Sequence, residues 1–87
     1  MTSPIRVLLV DDQELIRLGF RMVLESEPDI VVVGEAKDGR AAIAQSAALA
    51  PDLVLMDIRM PVMDGLTATA EILARPEPPR IVMLTTF

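Results

Sequence analysis

Residues 51–66 read PDLVLMDIRMPVMDGL. Leu53 to Met56 form an unbroken apolar run that ends at Asp57, the pattern of a short strand buried on both faces. Pro61 and Asp64-Gly65 then mark a loop, and a helix is predicted from about Leu66 to Leu73, closed by Pro76, Pro78 and Pro79. A strand, an acid at its carboxyl end, a loop and a helix make one unit of an alternating α/β chain.

The unit repeats on either side. Ile5 to Val10 (IRVLLV) is β-rich and bounded by Pro4 and Asp11, a second buried strand. From Gln13 to about Glu25 the period changes. Leu15, Ile16, Gly19, Phe20, Val23 and Leu24 share a helical face, while Arg17, Arg21 and Glu25 point elsewhere, so this helix is predicted to lie against a sheet until Pro28. Ile30 to Val33 is another strand, Asp38-Gly39 a turn, and Arg40 to Leu49 a helix stopped by Pro51. Ile81 to Leu84 supplies a fourth strand before Thr85-Thr86-Phe87. The order β-α-β-α-β-α-β selects an α/β fold with a parallel sheet and right-handed crossovers.

The chain has 87 residues, enough for one domain and one core. It is 52% hydrophobic and its mean hydropathy is +0.45, yet no run approaches the ~18 apolar residues of a membrane span. Without cysteine and without a signal-peptide pattern, a cytoplasmic setting is expected, with no membrane contact. A formal net charge of −5 opposes binding to a polyanion, so no nucleic-acid contact is expected from this segment.

In parallel sheets ligands bind outside the carboxyl ends of the strands. Asp11-Asp12 follow the first strand, Asp57 ends the third, and Thr85-Thr86 follow the fourth. These groups should converge into one acidic pocket. Two unit charges ~4 Å apart repel by roughly 4 kcal/mol at an effective dielectric near 20, so such a cluster calls for a cation, protons or wider spacing. An all-oxygen donor set suits Mg²⁺ or Mn²⁺. Taken singly, each acid has a plainer reading. Asp11 or Asp12 reads as the N-cap of the first helix, Asp57 as a loop residue, and Asp64-Gly65 as a turn or helix start. The six methionines read as packing residues, because thioethers suit hard cations badly. Only the joint arrangement points to a site.

Four segments, LLVDDQELIRLGFRMVL (8–24), VVGEAKDGRAAI (32–43), PDLVLMDIRMPVMDGL (51–66) and RIVMLTTF (80–87), together resemble the receiver domain of two-component response regulators. Arg17-Leu18-Gly19 resembles the NarL/FixJ (LuxR-type) subfamily. The resemblance implies a flavodoxin-like (CheY-like) α/β/α fold with strand order 2-1-3-4-5, of which these residues are the amino-terminal portion, with a helix-turn-helix output domain downstream. It implies that Asp57 is the phosphoacceptor, that Asp12 ligates the metal directly, and that Asp11 is the second pocket acid. The Arg59 backbone carbonyl would be the third protein ligand. Thr85 would bond a phosphoryl oxygen and switch on activation, with Thr86 in the adjoining small position. Mg²⁺ or Mn²⁺ is the implied cofactor and a sensor histidine kinase the implied partner.

The family's fourth helix, fifth strand with its lysine and switch aromatic, and fifth helix do not occur in these residues. Lys37, the single lysine, follows no strand in the equivalent way. A sheet edge and a sheet face are therefore expected to be uncovered, and self-association to follow. The implied role is a phosphoacceptor switch and not a turnover enzyme. Two alternatives stand beside it: a non-phosphorylated interaction module of the same fold, and an aspartate-nucleophile phosphatase of the dehalogenase-like type. The latter needs a second Asp two residues after the nucleophile, where this chain has Ile58-Arg59. A dinucleotide-binding domain lacks its glycine fingerprint after the first strand. The helix face with Arg17 and Arg21 is read either as a kinase contact or as a solvated polar face.

Overall fold

The computed structural model describes residues 3–60 and 63–84. Val7 to Val10 are all buried, which places the first strand, β1 (Ile5–Val10), in the middle of the sheet. β2 (Ile30–Ala36) pairs with it on one side and β3 (Leu53–Asp57) on the other, and β4 (Arg80–Leu84) adds to β3. All pairings are parallel and the order is β2-β1-β3-β4. The expected fold and the first four places of the expected strand order are what the chain adopts. β2 runs three residues past the predicted Val33, to Ala36. Its register against β1 shifts between Val7 and Leu8, so that Leu8 faces Gly34. The local break in alternation hid this continuation from the sequence.

Helices α1 (Glu14–Glu25), α2 (Gly39–Leu49) and α3 (Gly65–Leu73) connect the strands. Side-chain alternation along β1 divides the core in two. Leu8 and Val10, with Val54 and Met56, pack beneath α2 and α3 against Ala42, Ala68 and Ile72. Val7 and Leu9 face the other way, toward Phe20 and Leu24 of α1. Met56 and Met60 are buried packing residues, as expected of them.

α1 corrects one expectation. Leu15 and Val23, assigned to its packed face, are exposed, as are Leu18 and Met22. Arg17 and Arg21, assigned away from the sheet, instead lie over β2 and bond Glu35. The helix is rotated from the expected setting because a carboxylate near the end of β2 draws the two arginines inward. Ile16, Gly19, Phe20 and Val23 line a shallow apolar groove along the helix.

Candidate functional site

Three strand-end acids meet at the carboxyl edge. One carboxylate oxygen from each of Asp11, Asp12 and Asp57 lies within 4.8 Å of the others. Asp11 and Asp57 are buried and Asp12 is exposed, so the cluster has an interior floor and an open side. β1 and β3 are neighbours in register, with Val10 opposite Met56, and that pairing brings acids 46 positions apart in the chain to one place.

Asp11 is held from several directions. Its N–H donates to the Ala36 carbonyl at 3.1 Å and its Oδ1 accepts the Gln13 N–H at 2.8 Å. Gln13 is the N-cap residue of α1 and has no side-chain cap bond, so Asp11 supplies a carboxylate to the helix entrance from two residues earlier. The N-cap reading of this acid is thus half right. Its second oxygen, Oδ2, is buried with no hydrogen-bond partner. Burial pushes the Asp11 carboxyl above its ordinary value; the Gln13 N–H pulls it down, and the charges of Asp57 and Asp12 push it up again.

Asp57 Oδ1 accepts the Arg59 N–H at 3.3 Å. Behind it, the Gly65 N–H donates to the Ile58 carbonyl at 2.9 Å, and the first turn of α3 abuts the Asp57 backbone so closely that a Cβ on Gly65 would collide with the Asp57 carbonyl oxygen. Asp64, just before α3, has its carboxylate on the Thr67 N–H at 2.7 Å, and Asp38 caps α2 through Ala41 N–H at 2.8 Å. Those two acids are engaged in helix starts and take no part in the cluster. The Thr67 N–H holds the Asp64 carboxyl below its usual range. Thr85 and Thr86, expected at this edge, and Pro61 in the loop lie outside the described residues.

The donor chemistry fits a small hard cation: three carboxylates, all oxygen, with one buried oxygen that no donor satisfies. Sequence reasoning missed two features of the site's surroundings. Glu35 receives Arg17 Nε and Arg21 Nη1 at 3.0 Å each, and Gly65 makes room for Asp57. The signal for the first was present as a lone acid closing an apolar strand, with arginines spaced i, i+4 on the preceding amphipathic helix.

A doubly wound parallel sheet with paired acids after its first strand and a third acid after its central neighbour defines a class of phosphoryl-switch modules. The chain belongs to the response regulator receiver domain family, whose model matches residues 7–87. It is 47% identical over 83 residues to the transcriptional regulatory protein LiaR of Bacillus subtilis, covering 95% of this chain and 39% of that protein. A protein-glutamate methylesterase/protein-glutamine glutaminase of Methanosarcina mazei is 45% identical over 85 residues, 98% of this chain and 24% of that one. Among solved structures, the signal receiver domain of the putative response regulator NarL from Mycobacterium tuberculosis superposes with a TM-score of 0.93 at 36% identity, over 99% of this chain and 69% of that one. The chain therefore spans well under half the length of these two curated relatives. No helix among the described residues is long and apolar enough to cross a membrane.

Proposed function

We propose that this chain is the phosphoacceptor switch of a two-component response regulator working in the cytoplasm, with Asp57 as the residue that takes the phosphoryl group. The observation that carries the reading is the convergence of Asp11, Asp12 and Asp57 within 4.8 Å. Asp12, Asp57, the Arg59 carbonyl and, directly or through water, Asp11 would hold Mg²⁺ or Mn²⁺, which supplies charge neutralisation between the carboxylates and the incoming phosphoryl oxygens. An Asp57 oxygen attacks phosphorus on the phosphohistidine of a sensor kinase; the P–N bond breaks, a P–O bond forms, and the imidazole leaves with its electron pair. Asp57 is set for this by the Arg59 N–H on Oδ1 and by the Gly65 contact behind its carbonyl.

The acyl phosphate adds about −1.5 to −2 charges and three acceptor oxygens. The Thr85 hydroxyl is the proposed group that bonds one of them and carries the change to an output domain, DNA-binding as in regulators resembling LiaR. That a protein-glutamate methylesterase is among the relatives supports an output set outside these residues. Exposed Leu15, Leu18, Met22 and Val23 on α1, together with β4 at the end of the sheet, favour self-association of this chain. Sedimentation at rising concentration should show it, and a monomer throughout would remove that part.

The test is intact mass before and after incubation with Mg²⁺ and acetyl phosphate. A single phosphoryl adduct, absent with chelator and absent in Asp57→Asn, is expected. No adduct on the wild-type chain with Mg²⁺ bound would leave an interaction module that senses the cation alone.

A further inference from the structure

The acids of the pocket repel one another, yet the β1–α1 turn that carries two of them does not open. What restrains it is visible at the Asp11 backbone. Its N–H bond to Ala36 is an extension of the sheet and its Oδ1 bond to Gln13 is local to the turn. The remaining restraint is a side chain: Arg17 Nη1 donates to the Asp11 carbonyl at 2.5 Å while Nε of the same guanidinium donates to Glu35 Oε1 at 3.0 Å. Glu35 is itself fixed. Its other oxygen takes Arg21 Nη1 at 3.0 Å, and its backbone carbonyl accepts Gln45 Nε2 at 2.7 Å. A planar fork thus spans from a glutamate on β2, anchored at side chain and backbone, to the backbone of the pocket turn, with the Arg17 side chain only 15% exposed.

We infer that Arg17 is a positioning residue of the acidic pocket: through Glu35 it clamps the Asp11 carbonyl and so holds Asp11 and Asp12 facing Asp57 for the cation. This rests on the reading of the three acids as a cation site. The clamp acts by geometry more than by charge, because Glu35 neutralises the guanidinium at contact distance. A lysine keeps the charge but has no fixed pair of donors to bridge the two acceptors. Groups that orient metal ligands without touching the metal typically control affinity by 10- to 100-fold.

The experiment is a calorimetric Mg²⁺ titration of the wild-type chain, Arg17→Ala, Arg17→Lys, Glu35→Gln and Arg21→Ala, with urea unfolding of each recorded separately. Arg17→Ala is expected to weaken Mg²⁺ about tenfold in protein that remains folded, with Arg17→Lys close to it and Arg21→Ala nearer the wild type. Should Arg17→Ala fail to fold, Arg17→Lys and Glu35→Gln carry the test. Mg²⁺ affinity unchanged in folded Arg17 variants, whatever their stability, overturns the clamp and leaves a purely structural ion pair. Wild-type affinity in Arg17→Lys alone also overturns it, because charge would then suffice. A wild-type chain that binds no Mg²⁺ overturns the cation site itself and the clamp with it.

Discussion

The two edges of the sheet use the same residue type in opposite ways. At the amino edge, Asp52 is satisfied by the fold: its Oδ2 accepts the Arg6 N–H at 2.9 Å, its own N–H donates to the Arg6 carbonyl at 2.8 Å, and its carbonyl accepts the Arg80 N–H at 3.1 Å. One aspartate there joins the starts of β1, β3 and β4. At the carboxyl edge, three aspartates are pressed together, and a buried oxygen of Asp11 has no partner. An acid bonded within the fold belongs to the architecture. A buried acid left unfilled beside two others costs stability until a ligand relieves it.

The largest effect that separates the two edges should come from the cation. Mg²⁺ at a hundredfold excess over its dissociation constant should raise wild-type unfolding free energy by about 2.7 kcal/mol, and most of that gain should vanish in Asp12→Asn. Urea titrations with and without Mg²⁺ measure it. A gain that survived Asp12→Asn would place the cation elsewhere and dissolve the contrast. Next in size, Gly65→Ala should cost about 1–3 kcal/mol, because the new Cβ meets backbone at the Asp57 carbonyl and not a side chain that can swing away. It should also blunt the Mg²⁺ response, since the displaced atoms belong to a pocket acid. Asp52→Ala tests the amino edge. It should cost about 1 kcal/mol, the worth of an ordinary hydrogen bond, and leave the Mg²⁺ response intact.

How much of this was readable beforehand follows the same division. Apolar runs such as Leu53 to Met56 announced buried strands, and acids at their carboxyl ends announced the pocket, because strand ends in a parallel sheet share one edge by topology. The setting of α1 was not readable. Its six-residue apolar face suggested burial of Leu15 and Val23, whereas the Glu35 carboxylate, two residues past the predicted end of β2, turns Arg17 and Arg21 inward. Periodicity counts apolar residues but does not see a long-range ion pair that rotates the helix carrying them. Gly65 looked like a residue of a turn or helix start. Its close approach to Asp57 is a property of packing that spacing alone cannot express.

The smallest effect concerns an acid that sits next to the site and belongs with Asp52 in kind. Asp64 lies one residue before α3, accepts the Thr67 N–H, and stands outside the cluster. That bond stabilises the charged form and holds the carboxyl below its ordinary value of 3.8. A lowered folded-state value means the unfolded chain takes up its proton first. The stabilisation is therefore complete above the ordinary value and disappears as pH falls through the folded one. Asp64→Ala should accordingly melt below the wild type at neutral pH, and the gap should close in strong acid. Thermal unfolding of the pair across that range reads the difference directly. A gap that stayed constant with pH would mean that the helix start depends on the shape of the side chain and not on its charge. A lost Mg²⁺ response in Asp64→Ala would draw this acid into the pocket, and the line between satisfied and unsatisfied aspartates would have to be redrawn one residue closer to α3.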